Sequence, residues 1–170
     1  MIRLYFMRHG LSVHNQLGVF SGRIDSPLTD EGREDVRNNA EKAKSLGIDT
    51  IVSSPLARAQ ESAQIIAEVI SYPKDKILTS DFFSERDFGA LENMPYRPLA
   101  VNDNVPDIET VEELIKRAEK GFEWLNSLEA NKILVVSHGS LGRALRFVVS
   151  QEYPFDHPSR FKNADIIKLI

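Results

Sequence analysis

The hydrophobic and polar positions of this chain follow two alternating patterns. Short runs with mainly apolar centres occur at residues 2–7, 50–53, 132–137 and 165–170. Such runs are typical of strands buried on both faces of a sheet. The longer segments between them place an apolar residue at every third or fourth position, which predicts amphipathic helices. Alternating strands and helices indicate an α/β fold, with helices on both faces of a mostly parallel sheet.

The predicted helices begin at residues that favour helix starts. These are Thr29 for a helix over 28–47, Ser54-Pro55 for the second, a capping box of Thr110 and Glu113 for the third, and His138 before the fourth. Serine accepts hydrogen bonds from free N–H groups of the first turn, and proline is tolerated at its first position. The four helix starts therefore agree with the hydrophobic periodicity.

Residues 71–108 differ from the rest of the chain because prolines and a glycine interrupt any long period. A segment of this length without periodicity often covers a functional site, and we expect that role here. No internal repeat, low-complexity tract or linker divides the chain, so residues 1–170 are expected to form a single domain.

Composition narrows the class of protein. The chain has 170 residues, of which 42% are hydrophobic, and a net charge of -4, which argues against general nucleic-acid binding. It has no cysteine, which excludes disulfides and thiolate metal sites, and no apolar run approaches the ~20 residues of a membrane span. We expect a cytoplasmic protein without a signal peptide and without nucleic-acid or membrane partners. Its oligomeric state stays open, a homodimer included.

Chemically active side chains follow three of the predicted strands. Arg8 and His9 end the first strand, Ser54 follows the second, and His138 follows the strand at 132–137. Ligands of α/β sheets bind beyond the carboxyl ends of the strands. If these strands are neighbours, both histidines and the start of the second helix meet at one edge.

Arg58 stands against a local rule. It lies in the first turn of its helix, where the macrodipole disfavours an exposed cation by ~0.3–1 kcal/mol. Its position therefore indicates a salt bridge, with Glu61 or Glu85, or a bound anion. The N–H groups of Gly139 and Ser140, at the start of another helix, also suit an anion. Two arginines, two histidines and a helix N-terminus together predict a phosphate site.

A zinc site is the alternative use of the histidines. The chain has four, at positions 9, 14, 138 and 157. None forms the i, i+4 pair that often binds a metal on a helix, and the neighbouring arginines repel a divalent cation. We therefore expect no metal.

Five segments, in this order, resemble the histidine phosphatase superfamily, also called phosphoglycerate mutase-like. They are RHG, SGRIDSPLTDEG, SSPLARAQESA, ERDFGALEN and SHGSLGRAL, and the resemblance covers nearly the whole chain. It implies a three-layer α/β/α sandwich with a mixed, mostly parallel sheet. It also implies that the strands bearing His9 and His138 lie side by side.

The resemblance also implies roles for individual residues. His9 corresponds to the nucleophile that becomes a phosphohistidine, and Glu85 to the proton donor. Arg8, Arg58 and His138 correspond to the groups that bind and stabilise the phosphate. The implied pocket lining is Asn15, Ser21, Gly22, Arg23 and Gly139. The family chemistry implies no cofactor.

Three positions depart from the family pattern or compete with it. Leu11 stands where many relatives have an acid, and Asn93 replaces a common glycine. Asp87 lies close enough in sequence to compete with Glu85 as the acid, although the motif favours Glu85. The acid that relatives have at position 11 takes no part in the chemical steps. We therefore expect its replacement by Leu11 to affect the fine positioning of the neighbouring arginines more than the activity itself.

The resemblance leaves the reaction open between hydrolysis and phosphoryl transfer. Mutases of this family carry a long insertion with extra arginines, whereas here Arg97 is the sole arginine between Leu91 and Val105. We also expect no C-terminal tail that would close the site. We therefore expect a phosphatase, and the presence of Glu85 favours alcohol leaving groups.

The expected partner is a small phosphorylated metabolite. The alternatives are a cofactor-dependent phosphoglycerate-type mutase and an inactive phosphate-binding domain. Specificity is assigned to residues 86–108 and to His14, Phe20, Arg23 and Tyr96.

Overall fold

A computed structural model of the chain describes residues 2–99 and 104–170. Its sheet has five strands in the order β3-β2-β4-β1-β5. The strands are β1 (Arg3–Arg8), β2 (Thr50–Ser53), β3 (Leu78–Thr79), β4 (Lys132–Ser137) and β5 (Ile166–Lys168). Four of them are parallel, and only β5 is antiparallel to its neighbour β1. The predicted mixed, mostly parallel sheet is confirmed.

Helices cover both faces of the sheet. They are α1 (Val13–Leu17), α2 (Asp30–Leu46), α3 (Ala57–Val69), α4 (Val111–Asn126) and α5 (Gly139–Ser150). One core packs α2 and α3 against alternate strand residues such as Tyr5 and Met7, and a second core packs α4 and α5 against Leu4 and Phe6. The period of two in β1 therefore supplies both cores, as a central strand requires. None of the helices within the described ranges is long and apolar enough to cross a membrane.

Most of the predicted helix caps are present. Thr29 accepts a hydrogen bond from the Gly32 N–H, and Thr110 forms the capping box with Glu113. The prediction for α3 was wrong, because its N-cap is Leu56 and no side chain caps it. Ser54 instead accepts a hydrogen bond from the Leu56 N–H at 3.2 Å, within the turn that precedes the helix.

Two elements were absent from the sequence prediction. Helix α1 is a single capped turn too short to show periodicity, and β3 is two residues long. Strand β3 and three short 3₁₀ turns lie within 71–108, so this segment is not one continuous loop. The part of the segment at 100–103 falls outside the described residues.

The sheet order brings the two histidine-bearing strands together. β1 and β4 pair in parallel, with Arg8 opposite Ser137, so His9 and His138 follow adjacent strand ends. Gly10 then passes against α2, where a Cβ atom would lie 2.6 Å from the Gly32 carbonyl oxygen. A glycine at position 10 therefore allows β1 to end directly over the start of α2.

Candidate active site

A cleft of about 430 Å³ opens at the carboxyl edge of the sheet. Every predicted catalytic residue lines it except His138, which lies fully buried behind it. The walls come from β1, the 18–22 loop, α3, the Glu85 segment, the start of α5 and residues 160–163. The site therefore forms only when segments from both ends of the chain meet.

His9 lines this cleft, and His138 lies next to it, buried beneath the surface. Their ring centroids are 5.1 Å apart. His9 Nδ1 is 2.7 Å from the Gly10 carbonyl oxygen, and because a carbonyl only accepts, this nitrogen carries the proton. The lone pair of neutral His9 is then on Nε2. His138 Nε2 lies 2.7 Å from Ser54 Oγ, which fixes the second ring.

Arg58 is held by backbone carbonyls rather than by an acid. It is 1% exposed and donates to the Gly22 and Ile24 carbonyl oxygens at 2.7 and 2.8 Å. Its Nε lies 3.3 Å from His9 Nε2. Neither Glu61 nor Glu85 pairs with it, so the salt-bridge interpretation is wrong. Its charge remains available to an anion beside His9.

Arg8 lines the same cleft as His9 and Arg58. One of its terminal nitrogens donates to the Phe161 carbonyl oxygen at 3.2 Å, and its Nε is buried without a hydrogen-bond partner. Its guanidinium packs against Gly139, where an added Cβ atom would lie 3.7 Å from Nε. A buried, unpaired donor on a cation favours binding of an anion at this position.

These two arginines also control the charge of the histidines. Burial lowers the pKa of His9 well below its ordinary value, and the charges of Arg58 and Arg8 lower it further. Burial likewise lowers the pKa of His138, again with a contribution from Arg58. Both imidazoles are therefore neutral at pH 7, as a nucleophile requires.

The lowered pKa values predict that the protein loses stability in mild acid. The native state keeps both histidines neutral, whereas the unfolded chain protonates them near pH 6.5. Below that pH the unfolded state binds more protons, so stability rises with pH. Between about pH 7.5 and about pH 5.5 we expect the free energy of unfolding to fall by ~1 kcal/mol per histidine. Urea unfolding at both pH values measures this.

A His138→Gln variant is the control for that measurement. It removes one of the two buried imidazoles, so the loss of stability between the two pH values is expected to shrink by about half. An unchanged pH dependence in this variant would show that other groups cause it.

Glu85 lies across the cleft from His9 and is 8% exposed. Its Oε1 accepts from the Arg86 and Leu141 N–H groups at 2.8 and 3.1 Å, and its Oε2 from the Ser140 N–H at 3.2 Å. We expected the N-terminus of α5 to face the ligand. The structure differs in part, because the Glu85 carboxylate accepts from the Ser140 and Leu141 N–H groups, whereas Gly139 lines the cleft. The helix end instead fixes the carboxyl group in the cleft.

An arginine–carboxylate pair, Arg117 with Glu109, fixes the segment that carries Glu85. Arg117 on α4 binds both carboxylate oxygens of Glu109 at 2.8 Å and donates to the Ser84 and Phe82 carbonyl oxygens. The same guanidinium lies 3.3 Å from the Glu85 carbonyl oxygen. Nothing in the sequence indicated this arrangement, since the contacts of Arg117 with the carbonyls of residues 82–85 join positions more than 30 apart.

The structure also shows where Asp87, Asn93 and Leu11 lie relative to the cleft. Asp87 accepts a hydrogen bond from the Gly89 N–H within its own turn and does not line the cleft. Asn93 has a φ of 67°, and its side-chain Oδ1 accepts a hydrogen bond from His14 Nε2 at 2.7 Å. Leu11 lines the cleft, so an apolar side chain stands beside His9 where many relatives have an acid. Because Asp87 does not line the cleft, it is not placed to act as the acid.

Most of the predicted pocket lining is brought together. Asn15, Ser21, Gly22 and Gly139 line the cleft, and Ser21 Oγ is buried without a partner. Arg23 does not line it, because the residue is exposed and its N–H binds Glu92 at 2.8 Å. Its charge nevertheless contributes to the lowered pKa of His138.

Several cleft residues were not identified from the sequence. Asn163 donates to the His9 carbonyl oxygen at 2.9 Å and to Asn15 at 3.2 Å, so it ties the last loop to the first strand. Arg143 and Arg160 also line the cleft. Arg143 is one helical turn after Gly139, a spacing that places both on one face of α5. Residues 160–163 lie in an irregular loop that gives no periodic signal.

Within the described residues, no group of three or more His, Cys, Asp or Glu side chains is arranged to hold a metal ion. The positive groups around His9 are instead guanidiniums.

Comparison with known proteins identifies relatives along the whole chain. The sequence model of the histidine phosphatase superfamily (branch 1) matches residues 4–169. An uncharacterized phosphatase, PhoE, of Bacillus subtilis (strain 168) is 36% identical over 96% of this chain and 86% of its own. A probable phosphoglycerate mutase, GpmB, of Enterobacter sp. (strain 638) is 31% identical over 99% and 85%.

Solved structures show the same fold. A mycobacterial glucosyl-3-phosphoglycerate phosphatase has a TM-score of 0.87 at 21% identity and covers 99% of this chain and 92% of its own. A phosphoglycerate mutase from Bacillus anthracis has a TM-score of 0.85 at 21% identity and covers 98% and 86%. The predicted three-layer architecture is therefore confirmed.

Proposed function

Since the chain belongs to the histidine phosphatase superfamily and is a phosphatase, we propose that it hydrolyses small phosphate monoesters through a phosphohistidine on His9, without a metal. One observation carries the proposal. His9 presents a neutral Nε2 beside Arg58, and the carboxyl group of Glu85 lies in the same cleft. The residues proposed as nucleophile, cation and acid therefore line one cleft, which supports the proposal.

In the first step, the lone pair of His9 Nε2 attacks phosphorus and forms the P–N bond. The bond between phosphorus and the ester oxygen breaks, and Glu85 in its protonated form gives its proton to the departing alcohol. Arg8 and Arg58 stabilise the charge on the phosphoryl oxygens during the transfer. Arg58 lies beside the attacking nitrogen, with its Nε 3.3 Å from His9 Nε2.

In the second step, water attacks the phosphohistidine. The Glu85 carboxylate takes a proton from this water as the new P–O bond forms, and the P–N bond breaks to return the electron pair to Nε2. Inorganic phosphate leaves, and Glu85 is again protonated for the next cycle. Three backbone N–H groups hold the carboxyl in place for both transfers.

Hydrolysis is favoured over phosphoryl transfer between two sites on one metabolite. The segment between Leu91 and Val105 carries one arginine, Arg97, and is too short for the insertion of the family's mutases. The similarity to a relative named as a probable phosphoglycerate mutase keeps isomerisation as the second candidate.

Phosphate release from 4-nitrophenyl phosphate and from a panel of metabolite monoesters tests the proposal. We expect release that a chelator such as EDTA does not reduce, because guanidiniums rather than a metal stabilise the charge. The second arm supplies 3-phosphoglycerate with a bisphosphoglycerate primer and follows isomerised against dephosphorylated product.

The two arms lead to different conclusions. Loss of activity in EDTA would contradict the metal-independent mechanism. Primer-stimulated isomerisation would identify a mutase, and absence of turnover on the whole panel would favour an inactive phosphate-binding domain.

A further inference from the structure

A second group of arginines lies at the outer end of the cleft. Arg143 and Arg160 line both the catalytic cleft and an adjoining cavity of about 310 Å³, which Arg86 also lines. The two spaces share the aromatic side chains of Phe20 and Tyr96, so they form one continuous surface. A molecule bound at His9 can therefore extend toward these arginines.

No carboxylate of the described residues lies within salt-bridge distance of these three arginines. Arg143 stacks on the Phe155 ring at 4.3 Å and contacts its carbonyl oxygen at 3.4 Å. Arg160 donates to the His157 carbonyl oxygen, and Arg86 to that of Glu109 at 2.7 Å. These carbonyl oxygens accept hydrogen bonds from the guanidinium groups but carry no negative charge that would neutralise them. By contrast, Arg117 has the carboxylate of Glu109 as a direct partner.

The arginines also repel one another. Burial lowers the pKa of Arg143, and the positive charge of Arg160 lowers it further; the carboxylate of Glu85 raises it, and the charge of Arg86 makes a smaller lowering contribution. Like charges at one place cost free energy unless an opposite charge offsets them. An anionic group bound between them supplies that charge.

The loop that carries Arg160 is anchored on both sides of this residue. Arg146 donates to the Ser159 carbonyl oxygen at 3.1 Å. Phe161 is buried, and its ring centroid lies 4.8 Å from that of Phe6. Arg160 itself is exposed. Its backbone is thus fixed while its side chain stays accessible, so less ordering is required on binding.

We propose that Arg143 and Arg160 form a second anion-binding subsite, with Arg86 adding positive potential. The preferred substrates are then phosphate monoesters with a second anionic group, either a carboxylate or another phosphate. The assignment rests on the proposed function, because the scissile phosphate must lie at His9. The spacer between the two anions lies along Phe20 and Tyr96.

Matched pairs of compounds test the subsite. The pairs are 3-phosphoglycerate with glycerol 3-phosphate, which differ in a carboxylate, and fructose 1,6-bisphosphate with fructose 6-phosphate, which differ in a phosphate. Dissociation constants are measured by calorimetry in the His9→Ala variant, so that turnover is not needed, and kcat/KM is measured in the wild-type enzyme. In at least one pair, we expect the compound with the second anionic group to be preferred by about 10-fold or more. A charge-assisted hydrogen bond provides a preference of this size.

Two variants assign that preference to the subsite. Arg160→Gln, made at an exposed position, is expected to remove most of it. Lys162→Gln removes a positive charge from the same loop at an exposed position outside the cleft, and is expected to retain it. Arg143→Gln removes the other arginine of the subsite, which lies on α5. Preference for the carboxylate pair or for the phosphate pair identifies the chemical source of the second anion.

The outcomes separate this inference from the proposed function. Equal binding of both members in both pairs, or a preference that survives Arg160→Gln and Arg143→Gln, overturns the subsite even if the enzyme is an active phosphatase. Absence of turnover in wild type, with the binding preference present and lost in these variants, supports the subsite and contradicts the hydrolysis proposal.

Discussion

Replacement of His9 by alanine is expected to abolish phosphate release, lowering kcat by at least about 10⁴-fold. The reason is geometric. The proton of His9 lies on Nδ1 against the Gly10 carbonyl, which leaves Nε2 as the attacking atom beside Arg58. Alanine at this position leaves both arginines and Glu85 in place but offers no atom that can form the P–N bond.

The measurement combines steady-state rates with trapping of the phosphoenzyme. Wild-type enzyme mixed with a labelled monoester and quenched in alkali is expected to retain label that acid then releases, as a phosphoramidate bond does. The His9→Ala variant is expected to retain none. His14→Ala is the matched control, because it removes an imidazole that does not line the cleft.

His138 is the residue that makes this test discriminating. It is fully buried and does not line the cleft, and its Nε2 lies 2.7 Å from Ser54 Oγ, so it is not placed to attack phosphorus. We expect His138→Ala to be slow but still to become labelled. Label that persists in His9→Ala and disappears in His138→Ala would reverse the two assignments.

Replacement of Glu85 by glutamine is expected to slow alkyl phosphates by about 10²–10⁴-fold and 4-nitrophenyl phosphate far less. A poor leaving group requires a proton as its bond to phosphorus breaks, whereas nitrophenolate departs without one. The measured quantity is the dependence of log kcat/KM on the pKa of the leaving alcohol, which becomes steeper in the variant.

The contacts of Glu85 make a series of substrates necessary. Both carboxylate oxygens accept backbone N–H groups, so one side of a glutamine amide would point its own N–H at another donor. Such a local disturbance slows every substrate by a similar factor. A parallel shift of the whole series would therefore indicate a structural role and contradict proton donation.

Asp87→Asn is the matched control for this series. Asp87 is the neighbouring acid, and its side chain accepts from the Gly89 N–H outside the cleft. We expect its replacement to leave the dependence on the leaving group unchanged. A steeper dependence in Asp87→Asn than in Glu85→Gln would transfer the acid role to Asp87.

Much of the scaffold was predictable because it depends on near neighbours in the sequence. The apolar run at 132–137 became β4, and Thr110 with Glu113 formed the predicted capping box. Hydrophobic periodicity and capping act over a few residues, so the sequence displays them directly. Short elements such as α1 and β3 were missed for the same reason, since neither is long enough to show a period.

The position of the Glu85 side chain depends on contacts between segments that are distant in the sequence. Its position in the motif predicted an acid in the pocket, but its contacts with the N-terminus of α5 join residues more than 50 positions apart. The sequence instead suggested that this helix end would face the ligand. Only the packing of the two segments determines which anion takes the free N–H groups.

The sequence by itself determined the class of fold, the main strands and helices, and the residue types available for phosphate chemistry. Periodicity, capping and the order of the five motifs carry that information. The tertiary structure decided that Arg58 binds carbonyls rather than an acid, that His138 lies behind His9, and that Arg160 joins Arg143 at the end of the cleft. The physical reason is that burial and charge environment arise from segments distant in the chain, which only packing brings together.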